Sequence, residues 1–227
     1  MIELVTATLP ERAAFLVVLD RDGVINEHVP DPGGLPEGPL APEQVRLCPG
    51  AADAVRAINE AGGVVVVASN QPGVAMGQVD VRTLARVHAA VNRQLVAHGA
   101  LVPRYLYCPD HPDAPPAYLR QRCYCRKPGP AMLRRATQVT ARLGVRTRWM
   151  VGDSDTDIQA ADAAGFRSAL VLNPDSAHRR NGSVHPTTSV KSLAEAIDHI
   201  LRAEDTAGMS RGTEATRGPG LIGSSSP

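Results

Sequence analysis

The chain has 227 residues, enough for one well-buried domain, and 43% of them are hydrophobic while only 3% are aromatic. The formal net charge of +1 gives no bulk attraction to nucleic acid or to an anionic membrane. No apolar run reaches the roughly 18 residues that a membrane-spanning helix needs. Residues 1–12 lack the basic start and long apolar stretch of a secretory signal, so a cytoplasmic protein is expected.

Short apolar runs alternate with helical patterns along the chain. Strands are predicted over residues 15–20, 64–69, 104–107, 149–152 and 168–172. Helices are predicted over residues 51–61, 81–97, 130–143, 157–164 and 190–203. Continuous apolar strands that alternate with helices predict an α/β fold, a Rossmann-like and mostly parallel sheet with helices on both faces. In such sheets ligands bind at the carboxyl ends of the strands.

The first apolar strand leads directly into Asp20, Arg21, Asp22 and Gly23. Where a strand ends and turns, the carboxylates of Asp20 and Asp22 can both reach one point in front of the sheet. Two carboxylates at one point repel each other unless a cation lies between them, so the pair indicates a hard-metal site with oxygen ligands. A strand followed by an ordinary Asp-Gly turn is the alternative that this motif alone leaves open.

Residues 27–49 form a second informative stretch, because their many prolines and glycines predict a long irregular loop beside the aspartate pair. We expect this loop to contact a substrate, and a tolerated surface insertion is the alternative. After the second strand, Ser69 and Asn70 offer a hydroxyl and an amide before a Pro-Gly turn. Such groups could cradle a phosphate, although both residues also favour ordinary turns.

Two cations, Arg126 and Lys127, precede the third predicted helix. Lys127 is one of only two lysines in a chain whose other basic residues are arginines, which favours a specific need for a compact ammonium. It could neutralise a phosphoryl group, while Arg126 could bind another phosphate. The fourth strand ends at Asp153, which is placed to complete the metal site, whereas Asp157 is expected to cap or orient the next helix.

Three of the four cysteines, Cys108, Cys123 and Cys125, lie near His111 in a segment without a clear regular pattern. Three thiols and an imidazole are the inventory of a structural Cys₃His zinc site. Disulfides are the alternative, but a cytoplasmic chain disfavours them and Cys-x-Cys is too short to bridge easily. The fourth cysteine, Cys48, is expected to be an inert thiol.

Taken in chain order, these motifs resemble the four motifs of the haloacid dehalogenase-like phosphatases over roughly residues 13–172. The resemblance implies that Asp20 attacks phosphorus to form an aspartyl-phosphate, and that Asp22 acts as acid and then as base. It implies that Ser69 and Lys127 hold the phosphoryl oxygens. It also implies Mg²⁺ bound by the carboxylates of Asp20 and Asp153 and by the backbone carbonyl of Asp22.

Cys-Pro-x-x-Pro followed by Cys-x-Cys-Arg-Lys-Pro is similar to the D-glycero-D-manno-heptose 1,7-bisphosphate phosphatases and the related histidinol-phosphate phosphatases. The short span between Asp22 and Ser69 then implies a domain without a large cap. The substrate contacts implied by this resemblance are Asn26, Glu27, Asn70 and Arg126. The folded domain is expected over residues 13–203, with the zinc loop over 108–125 and a disordered tail from 204 to 227.

The chain departs from this family pattern at three places. Asp110 stands where those enzymes usually carry the zinc-binding histidine, and His111 follows one residue later. We favour His111 as the fourth zinc ligand because imidazole suits a thiolate-rich site better, with Asp110 as the alternative. Ser154 stands where the heptose enzymes commonly carry a lysine, and the loop over residues 27–49 is long.

The expected function is a magnesium-dependent phosphatase that hydrolyses a phosphorylated sugar, with heptose 1,7-bisphosphate, cleaved at the 7-phosphate, as the leading substrate. Histidinol phosphate is the alternative substrate, and Glu27 or Asp31 could bind its amine. A non-catalytic, zinc-stabilised binding protein is a distant alternative, because every motif residue is present. We expect a monomer that binds a small phosphorylated metabolite, and neither nucleic acid nor a membrane.

Overall fold

The computed structural model describes residues 1–30, 34–115 and 123–214. Its strands are β1 Ile2–Val5, β2 Phe15–Leu19, β3 Val29–Pro30, β4 Pro36–Glu37, β5 Val64–Asn70, β6 Arg104–Cys108, β7 Thr147–Gly152, β8 Arg167–Val171 and β9 Thr188–Val190. Its α-helices are α1 Ala51–Glu60, α2 Val81–Ala97, α3 Ala131–Val139, α4 Asp155–Ala164 and α5 Leu193–Glu214. Short 3₁₀ turns lie at Pro42–Gln44, Ala141–Leu143 and Pro174–Arg179.

One seven-stranded sheet has the strand order β1-β6-β5-β2-β7-β8-β9. Neighbouring strands are parallel except at one edge, where β1 runs antiparallel to β6. The central strand β2 pairs with β5 on one side and β7 on the other. Their carboxyl ends therefore lie side by side, which brings Asp20, Ser69 and Asp153 to the same edge of the sheet. The predicted α/β fold is confirmed.

Helices cover both faces of this sheet. Side chains alternate along β2, so Phe15 and Val17 face one apolar cluster while Leu16 and Val18 face the other. Helices α1, α2 and α5 contribute to the first cluster, and α3 and α4 contribute to the second. Full burial of a Val or Leu side chain contributes about 1.5–3 kcal/mol, so the strands that carry the site are held firmly by the core.

Several element boundaries differ from the prediction. Helix α3 ends at Val139, and the turn after it contains Thr140, whose hydroxyl donates to Ala136 O at 2.8 Å and competes with helical bonding. Strand β1 belongs to the sheet, so the folded region begins before the predicted residue 13. Its sequence gave little strand signal, because an edge strand of four half-buried or exposed residues lacks a continuous apolar run.

The C-terminal helix is longer than predicted. Helix α5 continues through Glu214, so the prediction of a tail from residue 204 is wrong for that stretch. Glu204 attaches the helix to β7, because its carboxylate accepts from Thr147 Oγ1 at 2.6 Å and from Trp149 Nε1 at 3.0 Å. The remainder of the predicted tail lies outside the described residues.

The predicted loop over residues 27–49 contains a small hairpin of β3 and β4 and the 3₁₀ turn at Pro42–Gln44. The Gln44 side chain accepts from the backbone N–H groups of Leu40 and Ala41, which closes the turn. Asp31, a predicted alternative substrate contact, lies outside the described residues. In the described part of the chain, no helix is both long enough and apolar enough to cross a membrane.

Candidate active site

A cavity of about 790 Å³ opens at the carboxyl ends of β2 and β5. Its walls come from the residues after β2, the loop over residues 27–49, the turn after β5 and the segment before α3. Seven of the predicted site residues line it, namely Asp20, Asp22, Ser69, Asn70, His111, Arg126 and Lys127. The fold therefore brings together motifs that are far apart in the sequence.

Asp20 and Lys127 form a buried ion pair at this cavity. Lys127 Nζ lies 2.9 Å from Asp20 Oδ1 and 2.6 Å from Asp157 Oδ1, and it also donates to Ala68 O at 2.9 Å. Burial by itself lowers the pKa of Lys127, but Asp157 and Asp20 raise that pKa well above its usual range. Burial raises the pKa of Asp20, and the Lys127 ammonium opposes this shift. Lys127 therefore stays protonated beside the predicted nucleophile.

Asp20, Asp153 and Asp157, here called the carboxylate cluster, each place one carboxylate oxygen within 4.8 Å of the others. All three residues are buried, and Asp153 Oδ1 has no hydrogen-bond partner among the described residues. Buried oxygen ligands with such an unpartnered atom fit Mg²⁺. Asp157 also caps α4, as predicted, because its Oδ2 accepts from the backbone N–H of Ser154 at 3.1 Å.

Two glycines make room for the carboxylate cluster. Gly23 has a φ of +80°, and a Cβ at this position would overlap Asp153 Oδ2. A Cβ at Gly152 would overlap the side chain of Asp157. A larger residue at either position would displace a carboxylate of the cluster.

Asp22 is held as a carboxylate by three side chains. Arg21 Nε and Asn26 Nδ2 each donate to Asp22 Oδ1 at 2.9 Å. Gln71 Nε2 donates to Asp22 Oδ2 at 2.6 Å. Burial raises the pKa of Asp22, but the Arg21 guanidinium and these hydrogen bonds outweigh it and lower the pKa. Arg21 is itself fully buried, with its guanidinium 5.5 Å from the centre of the Tyr107 ring.

Ser69 and Asn70 take different places at the cavity. Ser69 is buried, and its Oγ accepts from Gln71 Nε2 at 3.1 Å. The Asn70 amide is bound to the backbone of Lys127, because its Nδ2 donates to Lys127 O at 3.1 Å and its Oδ1 accepts from Lys127 N at 3.0 Å. Asn70 therefore positions Lys127 as well as lining the cavity.

Further ionisable residues line the cavity away from the carboxylate cluster. They are Glu37, His111, Arg126 and Arg179. The Arg179 guanidinium lies 3.1 Å from the Glu37 carboxylate, so the segment after β8 is tied to the hairpin of β3 and β4. Arg126 is held from the other direction, because its NH1 donates to the backbone carbonyl of Asp110 at 3.2 Å.

Two predicted substrate contacts do not line the cavity. Asn26 is fully buried and binds Asp22 instead. The Glu27 side chain is exposed and is not among the residues that line the cavity, so its role as a substrate contact stays a prediction. The backbone N–H of Glu27 donates to Arg46 O at 2.9 Å, which directs the chain away from the site. Glu37, from the same loop, supplies the carboxylate at the cavity.

A second group of metal-ligating residues, here called the cysteine cluster, contains Cys108, Asp110, Cys123 and Cys125, with one ligand atom of each within 4.8 Å of the others. Cys125 Sγ lies 3.0 Å from Cys108 Sγ and 4.0 Å from Asp110 Oδ2. His111, which we favour from the sequence as the fourth ligand, is not part of this group: its ring lines the cavity and Nδ1 accepts from the backbone N–H of Asp113. The alternative fourth ligand, Asp110, does belong to the group, so the geometry favours it.

Cys123 and Cys125 form a disulfide in the structure, with their Cα atoms 5.1 Å apart. This differs from the expectation that Cys-x-Cys is too short to bridge. The backbone N–H of Arg126 donates to Cys123 O at 3.0 Å, and this turn directs the two side chains to the same side. Burial raises the pKa of the half-buried Cys48 to about 12, so this thiol stays protonated, as expected of an inert group.

Five of the described residues at the site were not predicted, namely Arg21, His28, Glu37, Gln71 and Arg179. Arg21 lies between Asp20 and Asp22, and Gln71 follows Ser69 and Asn70. Their positions in these motifs could have predicted that they lie at the site. His28 contacts Asp153 and Arg179 contacts Glu37 only through the fold. No local pattern in the sequence points to either.

A HAD-hydrolase-like family model matches residues 124–196. A Pseudomonas putida protein named D-glycero-beta-D-manno-heptose-1,7-bisphosphate 7-phosphatase is 35% identical over 197 residues, which cover 82% of this chain and 98% of the relative. Among solved structures, D,D-heptose 1,7-bisphosphate phosphatase from Bordetella bronchiseptica, complexed with magnesium and phosphate, matches with a TM-score of 0.71 at 30% identity, covering 83% of this chain and 99% of that one. The same enzyme from Burkholderia thailandensis matches with a TM-score of 0.56 at 27% identity, covering 82% and 98%.

Proposed function

The chain belongs to the haloacid dehalogenase-like phosphatases, and from this membership we propose that it hydrolyses the 7-phosphate of D-glycero-D-manno-heptose 1,7-bisphosphate. One observation carries the proposal: Asp20 and Lys127 pair at a cavity that Arg126 and Arg179 also line, and the buried carboxylate of Asp153 lies next to that of Asp20. A cavity of about 790 Å³ is in the size range of small-molecule sites and has cations for two phosphate groups.

Asp20 supplies the nucleophile in this proposal. Its carboxylate oxygen attacks phosphorus, the bond between phosphorus and the sugar oxygen breaks, and an aspartyl-phosphate forms. Asp22 gives a proton to the departing oxygen and then takes one from the water that releases inorganic phosphate. Lys127 and Ser69 bind the phosphoryl oxygens. When bound by the carboxylates of Asp20 and Asp153 and the Asp22 carbonyl, Mg²⁺ supplies charge compensation between carboxylate and phosphate.

Asp22 must gain a proton before it can act as an acid. In the structure, Arg21 and two further hydrogen-bond donors lower its pKa. A phosphate dianion beside the carboxylate has the opposite effect, because a nearby like charge disfavours the ionised form. We infer that the arrival of the substrate loads Asp22 with the proton it later donates.

The second phosphate of a bisphosphate needs cations of its own. Arg126 and Arg179 supply them in this proposal, since a guanidinium binds phosphate through two parallel hydrogen bonds. Glu37, which pairs with Arg179 at 3.1 Å, would exchange that partner for solvent when the phosphate binds. Histidinol phosphate carries an amine in place of a second phosphate, so this pair of guanidinium groups favours the sugar bisphosphate.

The cysteine cluster is proposed to bind a structural Zn²⁺ in its reduced state. Three thiolates and the Asp110 carboxylate form a four-ligand set that suits tetrahedral zinc. Cys125 precedes Arg126 and Lys127, so a metal here would fix the loop that delivers both cations to the cavity. We propose that the protein acts as a monomer in the cytoplasm, where thiols stay reduced.

Phosphate release with Mg²⁺ present tests the proposal. The substrates are both anomers of heptose 1,7-bisphosphate, histidinol phosphate, and a set of hexose and nucleotide phosphates, with Asp20→Asn as the inactive control. The proposal expects one heptose anomer to be turned over at least tenfold more efficiently than any other ester. Preference for histidinol phosphate would overturn the substrate, and no release from any ester by the folded, metal-loaded protein would overturn the enzymatic assignment.

A further inference from the structure

The segment after β8, residues 173–180, is not part of the sheet and packs against Asp153 of the carboxylate cluster. Ser176, which is fully buried, donates its hydroxyl to Asp153 Oδ2. Arg180 NH1 donates to the backbone carbonyl of Asp153 at 2.9 Å, and Asn173 Nδ2 donates to the carbonyl of Gly23 at 3.0 Å. Three side chains of one short segment therefore hold both Asp153 and the loop that begins beside Asp22.

His28 reaches the same carboxylate from the start of the loop over residues 27–49. Its Nε2 lies 3.1 Å from Asp153 Oδ2 and 3.0 Å from Ser176 Oγ. The side chains of His28 and Asp153 are each only 1% exposed, so water competes little for this contact. His28 Nδ1 has no hydrogen-bond partner among the described residues, so the ring is oriented through Nε2, by its contacts to Asp153 and Ser176.

The two oxygens of Asp153 are therefore used differently. Oδ2 receives donors from both His28 and Ser176, whereas Oδ1 has no partner among the described residues. The packing is tight enough to enforce this arrangement, because a Cβ on Gly23 would overlap both Asp153 Oδ2 and His28 Nε2. The carboxylate cannot exchange its two oxygens without breaking both hydrogen bonds.

We propose that His28 and Ser176 are positioning residues that fix the Asp153 carboxylate so that Oδ1 alone is presented to Mg²⁺. The inference rests on the metal site of the proposed function but not on its substrate. A metal-binding carboxylate that is oriented by outer hydrogen bonds binds its metal more tightly than a free one, because less motion is lost on binding. Loss of such an outer partner typically weakens metal affinity about 10- to 100-fold.

The test measures Mg²⁺ affinity of the full-length, chelator-treated protein by isothermal titration calorimetry, with no substrate present. His28→Leu removes the donor, and His28→Gln keeps an N–H donor at a similar reach. His178→Leu, an exposed histidine on the segment that carries Ser176, is the matched control. We expect the Mg²⁺ Kd to rise about 10- to 100-fold in His28→Leu, to stay within about threefold in His28→Gln, and to be unchanged in His178→Leu.

Two outcomes would overturn the inference. A folded His28→Leu protein with the wild-type Kd removes the positioning role, and so does a His28→Gln protein that is as weak as His28→Leu. If His28→Leu does not fold, Ser176→Ala answers the same question, since it deletes the second donor to Asp153 with a smaller change in volume. Because the readout is metal affinity, the inference stands or falls separately from turnover of the heptose bisphosphate.

Discussion

The carboxylate cluster and the cysteine cluster are two groups of residues that could each hold a metal ion, and the chain builds them in different ways. Asp20 and Asp153 follow adjacent strands of the central sheet, and Asp157 lies in the first turn of α4. In the cysteine cluster only Cys108 belongs to a strand, and its other members lie in loops. A site at strand ends is fixed by sheet register and core packing, whereas a loop site depends on local turns and on the ion that it holds.

The largest effect is expected on the rate of phosphate release when Asp20, the proposed nucleophile, is changed. Asp20→Asn removes the attacking oxygen, so we expect kcat for phosphate release to fall by on the order of 10⁴-fold or more in a protein that still folds. Asp113→Asn, an exposed position beside the cysteine cluster, serves as the control and should keep normal activity. Residual activity above about one per cent in Asp20→Asn would assign the nucleophile elsewhere.

The ion pairs of the carboxylate cluster should also contribute to stability. Lys127→Ala leaves the buried carboxylates of Asp20 and Asp157 without their cation, and breaking such a pair costs about 3–5 kcal/mol. We expect urea unfolding to show a loss of this size in the free energy of unfolding. Lys191→Ala changes the other lysine, which is exposed, and should cost less than about 0.5 kcal/mol. Equal stability of the two variants would contradict the buried network.

The cysteine cluster is tested by its zinc content after reduction. We expect one equivalent of zinc by elemental analysis, and zinc affinity at least about tenfold weaker in Asp110→Ala, with no loss in His111→Ala. Loss of zinc in His111→Ala but not in Asp110→Ala would restore the interpretation from the sequence. A fully reduced protein that takes up no zinc would identify the cluster as a disulfide with a neighbouring thiol.

The difference between a site at strand ends and a site in loops also explains which parts of the molecule could be predicted from the sequence. Asp20, Ser69 and Asp153 follow apolar strands, and parallel strands place such residues on one edge of the sheet, so the motifs alone bring them together. The choice between Asp110 and His111 could not be made in this way. Successive loop residues point in different directions, and only the backbone path of that loop decides which one faces the cysteines.

Contacts between loops that are far apart in the chain could not be predicted from the sequence either. Arg179 and Glu37 meet because a 3₁₀ turn after β8 approaches the hairpin of β3 and β4. Neither segment has the periodicity of a helix or a long strand, so local propensity could not place them. The predicted last helix ends too early, at residue 203, for a similar reason. Glu204 is polar, and its hydrogen bond to Trp149 depends on the tertiary structure.

The last expected effect concerns the side chains that pack behind Asp22 and Arg21. His88 Nδ1 lies 3.1 Å from the Tyr107 hydroxyl, and the His88 ring packs edge-on against Tyr105 with 4.4 Å between centres. Burial, and then the charge of Arg21, lower the pKa of His88 to about 4. His88 is therefore neutral in the folded protein near neutral pH.

The sign of the response follows from the direction of the shift. A histidine in the unfolded chain has a pKa of about 6.5. Between that pH and the lower pKa of folded His88, the unfolded state therefore binds a proton that the folded state does not bind. The stability contributed by neutral His88 is therefore complete above pH 6.5 and is lost as the pH falls toward 4, by at most about 1.4 kcal/mol per pH unit for one proton. Urea unfolding between pH 7 and pH 4.5 should show a shallower loss in His88→Gln than in the wild type or in the exposed control His98→Gln. Identical slopes in all three proteins would mean that His88 is protonated in the fold, and that the network behind Asp22 tolerates a second positive charge beside Arg21.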